Sequence, residues 1–168
     1  PTAALNNLLS ENGIESTPMS ALVKIQDPQW APVLESYLGG DREALVVPED
    51  QIESAIKLMR AARQNGYQLV GAGIIQPKHL NDVNPDYLSD DHILGLFETD
   101  NDVVHRFLAH KFGSMQQATT ESELTKLKRA LTVDGTLTQG GMTKSIRVLS
   151  VKDLRLGKNS EDTRELSF

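Results

Sequence analysis

The 168 residues contain no cysteine. Disulfide frameworks, thiol nucleophiles, cysteine-ligated zinc and iron–sulfur clusters are therefore excluded, and the chain suits a reducing cytosol. Aromatic residues make up only 5% of it, which leaves no evident platform for stacking single-stranded bases. Long apolar runs are missing too. Leu45-Val46-Val47 and Ile74-Ile75 fall far short of the ~20 residues a membrane span needs, and the N-terminus, with neither a basic flank nor an apolar stretch, does not read as a signal peptide. There is no Gly-x-x-x-x-Gly-Lys loop for nucleotide phosphates and no Gly-x-Ser-x-Gly elbow for a nucleophile. Catalytic groups are assembled in space, so these absences weaken an enzyme reading without closing it.

Positive charge is scarce overall and unevenly placed. The net charge is −6, with six basic residues against fifteen acidic ones in 1–100, and eleven against eight in 101–168. An acidic chain is a poor general ligand for nucleic acid, whose affinity comes mainly from clustered Lys and Arg. Any DNA-facing surface is expected in the basic stretch from Lys126 to Lys158, with Lys128, Arg129, Lys144 and Arg147 as the candidate contacts. Charges alternating with Ile146 and Val148 equally describe a solvated sheet face.

What is present is a repeated pattern. Trp30, Val33, Leu34, Tyr37 and Leu38 form one stripe of an amphipathic helix, opened by Pro28 and stopped by Gly39-Gly40. Ala44–Val47 reads as a short buried strand, Asp50 with Glu53 as a capped helix start, and Ile52 to Ala62 as a helical stripe ending at Gly66. Leu69–Ile75 follows as a strand that Pro77 ends. The pattern recurs: Ile93–Phe97 as strand, Thr99 with Asp102 as cap, a helix to Phe112 stopped by Gly113, and Met115–Ala118 as strand. Thr120 caps a short helix through Lys128. Leu131–Thr138 around Asp134-Gly135 predicts a hairpin with a type I′ turn, Gln139-Gly140-Gly141 a further turn, and Thr143–Leu149 another strand. Thr2–Ser10 and Asn159–Phe168 read as helical stubs that bury little by themselves, the latter with a Ser160 cap.

Motifs that carry chemistry are weak. Gly71-Ala72-Gly73 has the start of a dinucleotide loop, but Gln76 stands at the third glycine position and Pro77 where a helix should open. His79, His92, His105 and His110 show no i, i+4 zinc spacing. Asp100 and Asp102 are better explained as helix-start acids than as cation ligands. No catalytic residue, metal or cofactor is assigned.

Taken in order, Asn12-Gly13-Ile14, Ser20–Ile25, Trp30–Gly40 and Ala44–Pro48 resemble the opening of the hinge domain of SMC (structural maintenance of chromosomes) proteins, and Ile93–Phe112 with Leu131–Gly141 resembles its second lobe. The inserted Met142–Lys158 and Leu156-Gly157-Lys158-Asn159 resemble the bacterial condensin relatives of the Muk and Wadjet kind. The resemblance implies an α/β (α+β) two-lobed domain: arm stub 1–11, lobe I 12–80, linker 81–92, lobe II 93–158, arm stub 159–168. It implies a cytoplasmic, nucleoid-associated homodimerisation hinge, without enzymatic activity of its own. The ATPase heads, and the contacts with condensin-like subunits, would lie on absent parts of a parent that organises chromosomes or acts in plasmid defence. Both chain ends are expected to leave on one side. The interface is expected at Gly71, Gly73, Gly135, Gly140, Gly141, Met142 and Ile146, because glycines let two backbones approach and strand edges need partners. The other readings are a nucleotide-binding or small-molecule-binding α/β domain and a weak, sequence-independent DNA-binding module.

Overall fold

The computed structural model describes residues 1–80 and 90–157. Ser160, the C-terminal stub and most of the linker lie outside the described residues. The chain is a mixed α/β domain of five α-helices and eight short strands among those residues. α1 (Thr2–Glu11) and α3 (Ile52–Gln64) pack together over β1 (Thr17–Pro18) and β3 (Leu45–Val46), which pair antiparallel. α1 does more than a stub would. Leu5 and Leu9 are wholly buried in one core with Leu45, Ile52, Ala55 and Leu69, each contributing about 2 kcal/mol by leaving water.

A second, larger core joins the two halves of the sequence. α2 (Ala31–Leu38) and α4 (Asp102–Phe112) meet through Val33, Leu34, Leu38, Val104, Leu108 and Phe112, with Leu131 and Leu137 beneath them. The Tyr37 and Phe112 rings stack with centroids 5.0 Å apart. β2 (Lys24–Ile25) pairs antiparallel with β4 (Phe97–Glu98), stitching the halves by main chain as well. The remaining sheet has the order β5-β6-β7-β8, comprising β5 (Gln116–Gln117), β6 (Ala130–Leu131), β7 (Thr136–Gln139) and β8 (Met142–Ser145). β5 and β6 are parallel across α5 (Glu121–Lys126), and the other two pairings are antiparallel. Thr120 caps α5 as expected, with Glu123 completing a capping box, although the helix ends at Lys126.

Several local expectations are corrected. Leu69–Ile75 is mainly a turn, in which Ala72 N–H bonds the Leu69 carbonyl at 3.0 Å and Gly71 takes φ +91°. Only Ile74 bridges Leu45, in the parallel sense a strand–helix–strand crossover requires. Ile93–Leu96 is a 3₁₀ turn, closed by Gly95 N–H on the His92 carbonyl, and this lets Ile93 and Leu94 both be buried where a strand would alternate them. Asp50 caps nothing, because a 3₁₀ turn begun at Pro48 leads into α3 and supplies its own main-chain bond, Gln51 N–H to Pro48 carbonyl at 2.8 Å. Asn101 caps α4 in place of Thr99, its Oδ1 accepting from Val104 N–H at 3.0 Å. The strand predicted over Thr143–Leu149 stops at Ser145.

Candidate functional site

β8 is the open edge of the sheet. The type I′ turn expected at Asp134-Gly135 is found one connection later, at Gly140-Gly141, where both residues have positive φ (+60° and +79°) and Gln139 faces Met142. Asp134 has no positive φ. Its loop is instead a turn closed by Gly135 N–H on the Thr132 carbonyl at 3.2 Å, and Asp134 accepts hydrogen bonds from the Thr132 and Thr136 hydroxyls. Those bonds hold the Asp134 carboxyl below its usual range, Thr132 first.

Met142–Ser145 is exposed at every residue, and no other strand pairs with its outer side among the described residues. Ile146 N–H bonds the Gly135 carbonyl at 2.8 Å, and the alternation of an antiparallel ladder then turns the N–H groups of Thr143 and Ser145 outward. The far edge is occupied, with Gln117 N–H on the Asp91 carbonyl at 2.7 Å and Ile93 N–H on the Met115 carbonyl at 3.0 Å. The open edge carries an apolar side chain, Met142, which is 59% exposed.

The expected interface residues therefore fall in three places. Gly140, Gly141 and Met142 sit together at the β8 edge. Gly71 and Gly73 lie away from it in the 69–75 segment, where Leu45 N–H takes the Gly73 carbonyl at 2.9 Å and exposed Tyr67 and Val70 stand nearby in sequence. Gly135 is buried, and a β-carbon there would come within 2.7 Å of the Ile146 carbonyl oxygen, so its close approach is to this chain's own backbone. Ile146 is half-buried against the main core. The segment after Gly73 runs into a 3₁₀ turn at Pro77–His79, with no helix N-terminus to receive a dinucleotide.

Among the basic candidates Lys128, Lys144 and Arg147 are exposed. Arg129 is turned inward, its Nη2 donating to the Tyr37 hydroxyl at 3.3 Å and the Lys111 carbonyl at 3.4 Å. His92 is buried, and its Nδ1 has no hydrogen-bond partner among the described residues. Its pKa is held below the ordinary value by desolvation and then by Arg129. No group of three or more His, Asp or Glu suited to a metal occurs among the described residues. No described helix is long and apolar enough to cross a membrane.

Two connections were missed from sequence. The Tyr37 hydroxyl also points to Gln139 Oε1 at 3.1 Å, tying α2 to the residue before the glycine turn. Glu35, on α2, is 1% exposed and pairs with Arg42 at 2.9 Å.

No family of known proteins matches the sequence, and no curated protein does. Solved structures match it throughout. The Pyrococcus furiosus Smc hinge domain with an extended coiled coil superposes with a TM-score of 0.65 at 18% identity, over 99% of this chain and 61% of that one. The chain thus spans under two-thirds of that Pyrococcus chain. An asymmetric dimer of the Geobacillus stearothermophilus SMC hinge domain gives 0.63 at 18% identity over 97% and 69%. The S. pombe Smc5/6 hinge domain gives 0.59 at 16% over 95% and 71%. The two-core α/β architecture is therefore that of a known class of domain. It has the fold of the SMC hinge.

Proposed function

We propose that this chain is a homodimerisation hinge in which the outer edge of β8 pairs by its main chain with a second copy. The observation that carries the reading is the exposed strand Met142–Ser145, with the Thr143 and Ser145 N–H groups directed outward. Such an edge is paired or protected in stable proteins. The Geobacillus hinge of the same fold is a dimer, which supports the assignment. The 73–75 segment bonds Leu45 on one side and meets no strand on the other among the described residues, so it is the edge proposed to receive β8, with Gly71 and Gly73 at the contact.

On this reading 12–80 and 93–158 are the two lobes, and 1–11 and 159–168 lead into the arms of a longer, cytoplasmic, SMC-like ATPase that organises DNA together with other subunits. The inserted 142–158 favours the Muk and Wadjet kind and a role in plasmid defence. DNA contact by the hinge itself is weak and runs through Lys128, Lys144 and Arg147, with Arg129 withdrawn from it. The test is energy transfer between two populations labelled at Ser10→Cys, possible because the chain has no other cysteine. Transfer after mixing, lost in Ser145→Pro, supports pairing at β8; transfer that persists in Ser145→Pro places the contact elsewhere.

A further inference from the structure

The segment that follows β8 crosses back to α2 and is fastened there by one carboxylate. Leu149 N–H donates to the Pro32 carbonyl at 3.3 Å, and Gly157 N–H to the Ser20 carbonyl at 2.9 Å. Between these points Arg155 N–H donates to Glu35 Oε1 at 2.6 Å and Leu156 N–H to Glu35 Oε2 at 3.2 Å. Arg42 Nη1 pairs with Glu35 at 2.9 Å and also reaches the Asp153 carbonyl at 3.1 Å, while its Nε holds the Gly39 carbonyl at 2.9 Å. Leu156 is buried in the main core beside this cluster.

A carboxylate with almost no exposure is tolerated only when its charge is paired and its oxygens are bonded. Apart from Arg42, the partners of Glu35 are both main-chain N–H groups of the returning segment. Arg42 in turn spans from α2's own end to Asp153 of that segment. An apolar residue at 35 would pack on α2 without desolvating a charge, and would leave residues 150–156 held only by the Leu156 side chain and the Arg42 bond to the Asp153 carbonyl. The arrangement thus has the form of a latch closed over a strap.

We infer that Glu35 and Arg42 form a latch that fixes the path of residues 149–157 across α2. Closed, the latch holds Gly157 beside Lys24, whose side chain lies against that glycine. Open, with the Gly157 bond released as well, the nearest main-chain anchor is the bond from Leu149 N–H to the Pro32 carbonyl, and residues 150–157 swing from there. A pull at Gly157 therefore meets its bond to the Ser20 carbonyl first and Glu35 next, before the Leu149 bond and the sheet. The inference concerns this chain alone and stands whether or not β8 pairs with a second copy.

Amide hydrogen exchange on the whole chain tests it, comparing wild type with Glu35→Leu. The expected result is at least tenfold faster exchange at Arg155, Leu156 and Gly157, with Leu108 and Leu131 in the main core unchanged. Unchanged rates at the three amides would overturn the inference, since Leu156 packing would then suffice. A uniform rise across strap and core would overturn it too, because the strap would open only with the whole molecule. Should Glu35→Leu fail to fold, Arg42→Met, at the less buried end of the pair, is read at the same amides. There a rise confined to the strap supports the latch, and an absent or uniform rise contradicts it.

Discussion

The Tyr37 hydroxyl lies 3.1 Å from Gln139 Oε1, so a helix of the first half of the chain touches the residue that begins the glycine turn of the second. The same oxygen accepts from Arg129 and faces the Lys111 carbonyl, placing one phenol at the meeting of α2, α4, β7 and the residue that precedes β6. Tyr37→Phe keeps the stack on Phe112 and removes only these bonds. We expect a loss of about 1 kcal/mol, or a Tm lower by roughly 2–4 °C for a domain of this size, measured by calorimetry.

The burial of His92 beside Arg129 sets the sign of a pH dependence in the fold. The unfolded imidazole titrates near 6.5, and burial followed by the charge of Arg129 lowers the folded value. The folded state therefore binds fewer protons, and stability present above pH 6.5 is lost as pH falls from there through the folded pKa, by at most about 1.4 kcal/mol per pH unit. Denaturant midpoints at about pH 7.5 and about pH 5.5 should differ in wild type and converge in His92→Leu. Asp134 and Glu123 also have lowered pKa values, but they titrate as carboxylates well below this window.

The glycines of the second half are not equivalent. Gly135→Ala forces a β-carbon toward the Ile146 carbonyl at φ +92° and should cost more than about 2 kcal/mol. Gly140 has nothing within 4 Å of a β-carbon and a φ of +60°. Asn is tolerated in this left-handed region, so Gly140→Asn should stay within about 0.5 kcal/mol of wild type. Equal effects in urea melts would contradict this distinction. Bulky residues at 140 and 141 would strain the turn itself, so they are a poorer probe of pairing than the β8 edge.

Much of the α-helical framework was legible because its signals are local. The stripe from Trp30 to Leu38, the stop at Gly113 and the Thr120 cap each appear where the spacing puts them. The short strands were less legible, since two-residue pairings such as Lys24 with Glu98 depend on tertiary contact and leave no periodicity. Ile93–Leu96 looked like a strand because an apolar run does not distinguish a strand from a buried 3₁₀ turn. At the site, Gly140, Gly141 and Met142 were readable as a turn entering a strand. Glu35 was not, because a single carboxylate beside an apolar stripe looks solvent-facing until the distant Arg155 and Leu156 amides arrive to bond it.

The basic residues separate by placement. Lys144 is exposed on β8, and Arg147 is exposed beyond the end of that strand at Ser145. Each contributes to DNA affinity only as an independent phosphate contact. Charge reversal at either should lower the salt slope of duplex binding by about 0.9, whereas Arg129→Gln should act on stability instead. Fluorescence anisotropy across a salt series checks both, and a slope unaffected by Lys144→Glu and Arg147→Glu removes them from any DNA contact.

The claim that β8 is a pairing edge is tested most directly by the molar mass of the isolated chain in solution, measured by light scattering over a dilution series. The account predicts twice the 18.5 kDa of one chain for wild type. It predicts a folded species of single-chain mass for Ser145→Pro, which removes an outward N–H from β8 without touching its bonds to β7. A wild-type chain that is monomeric throughout, or a Ser145→Pro variant that keeps the doubled mass, would contradict it.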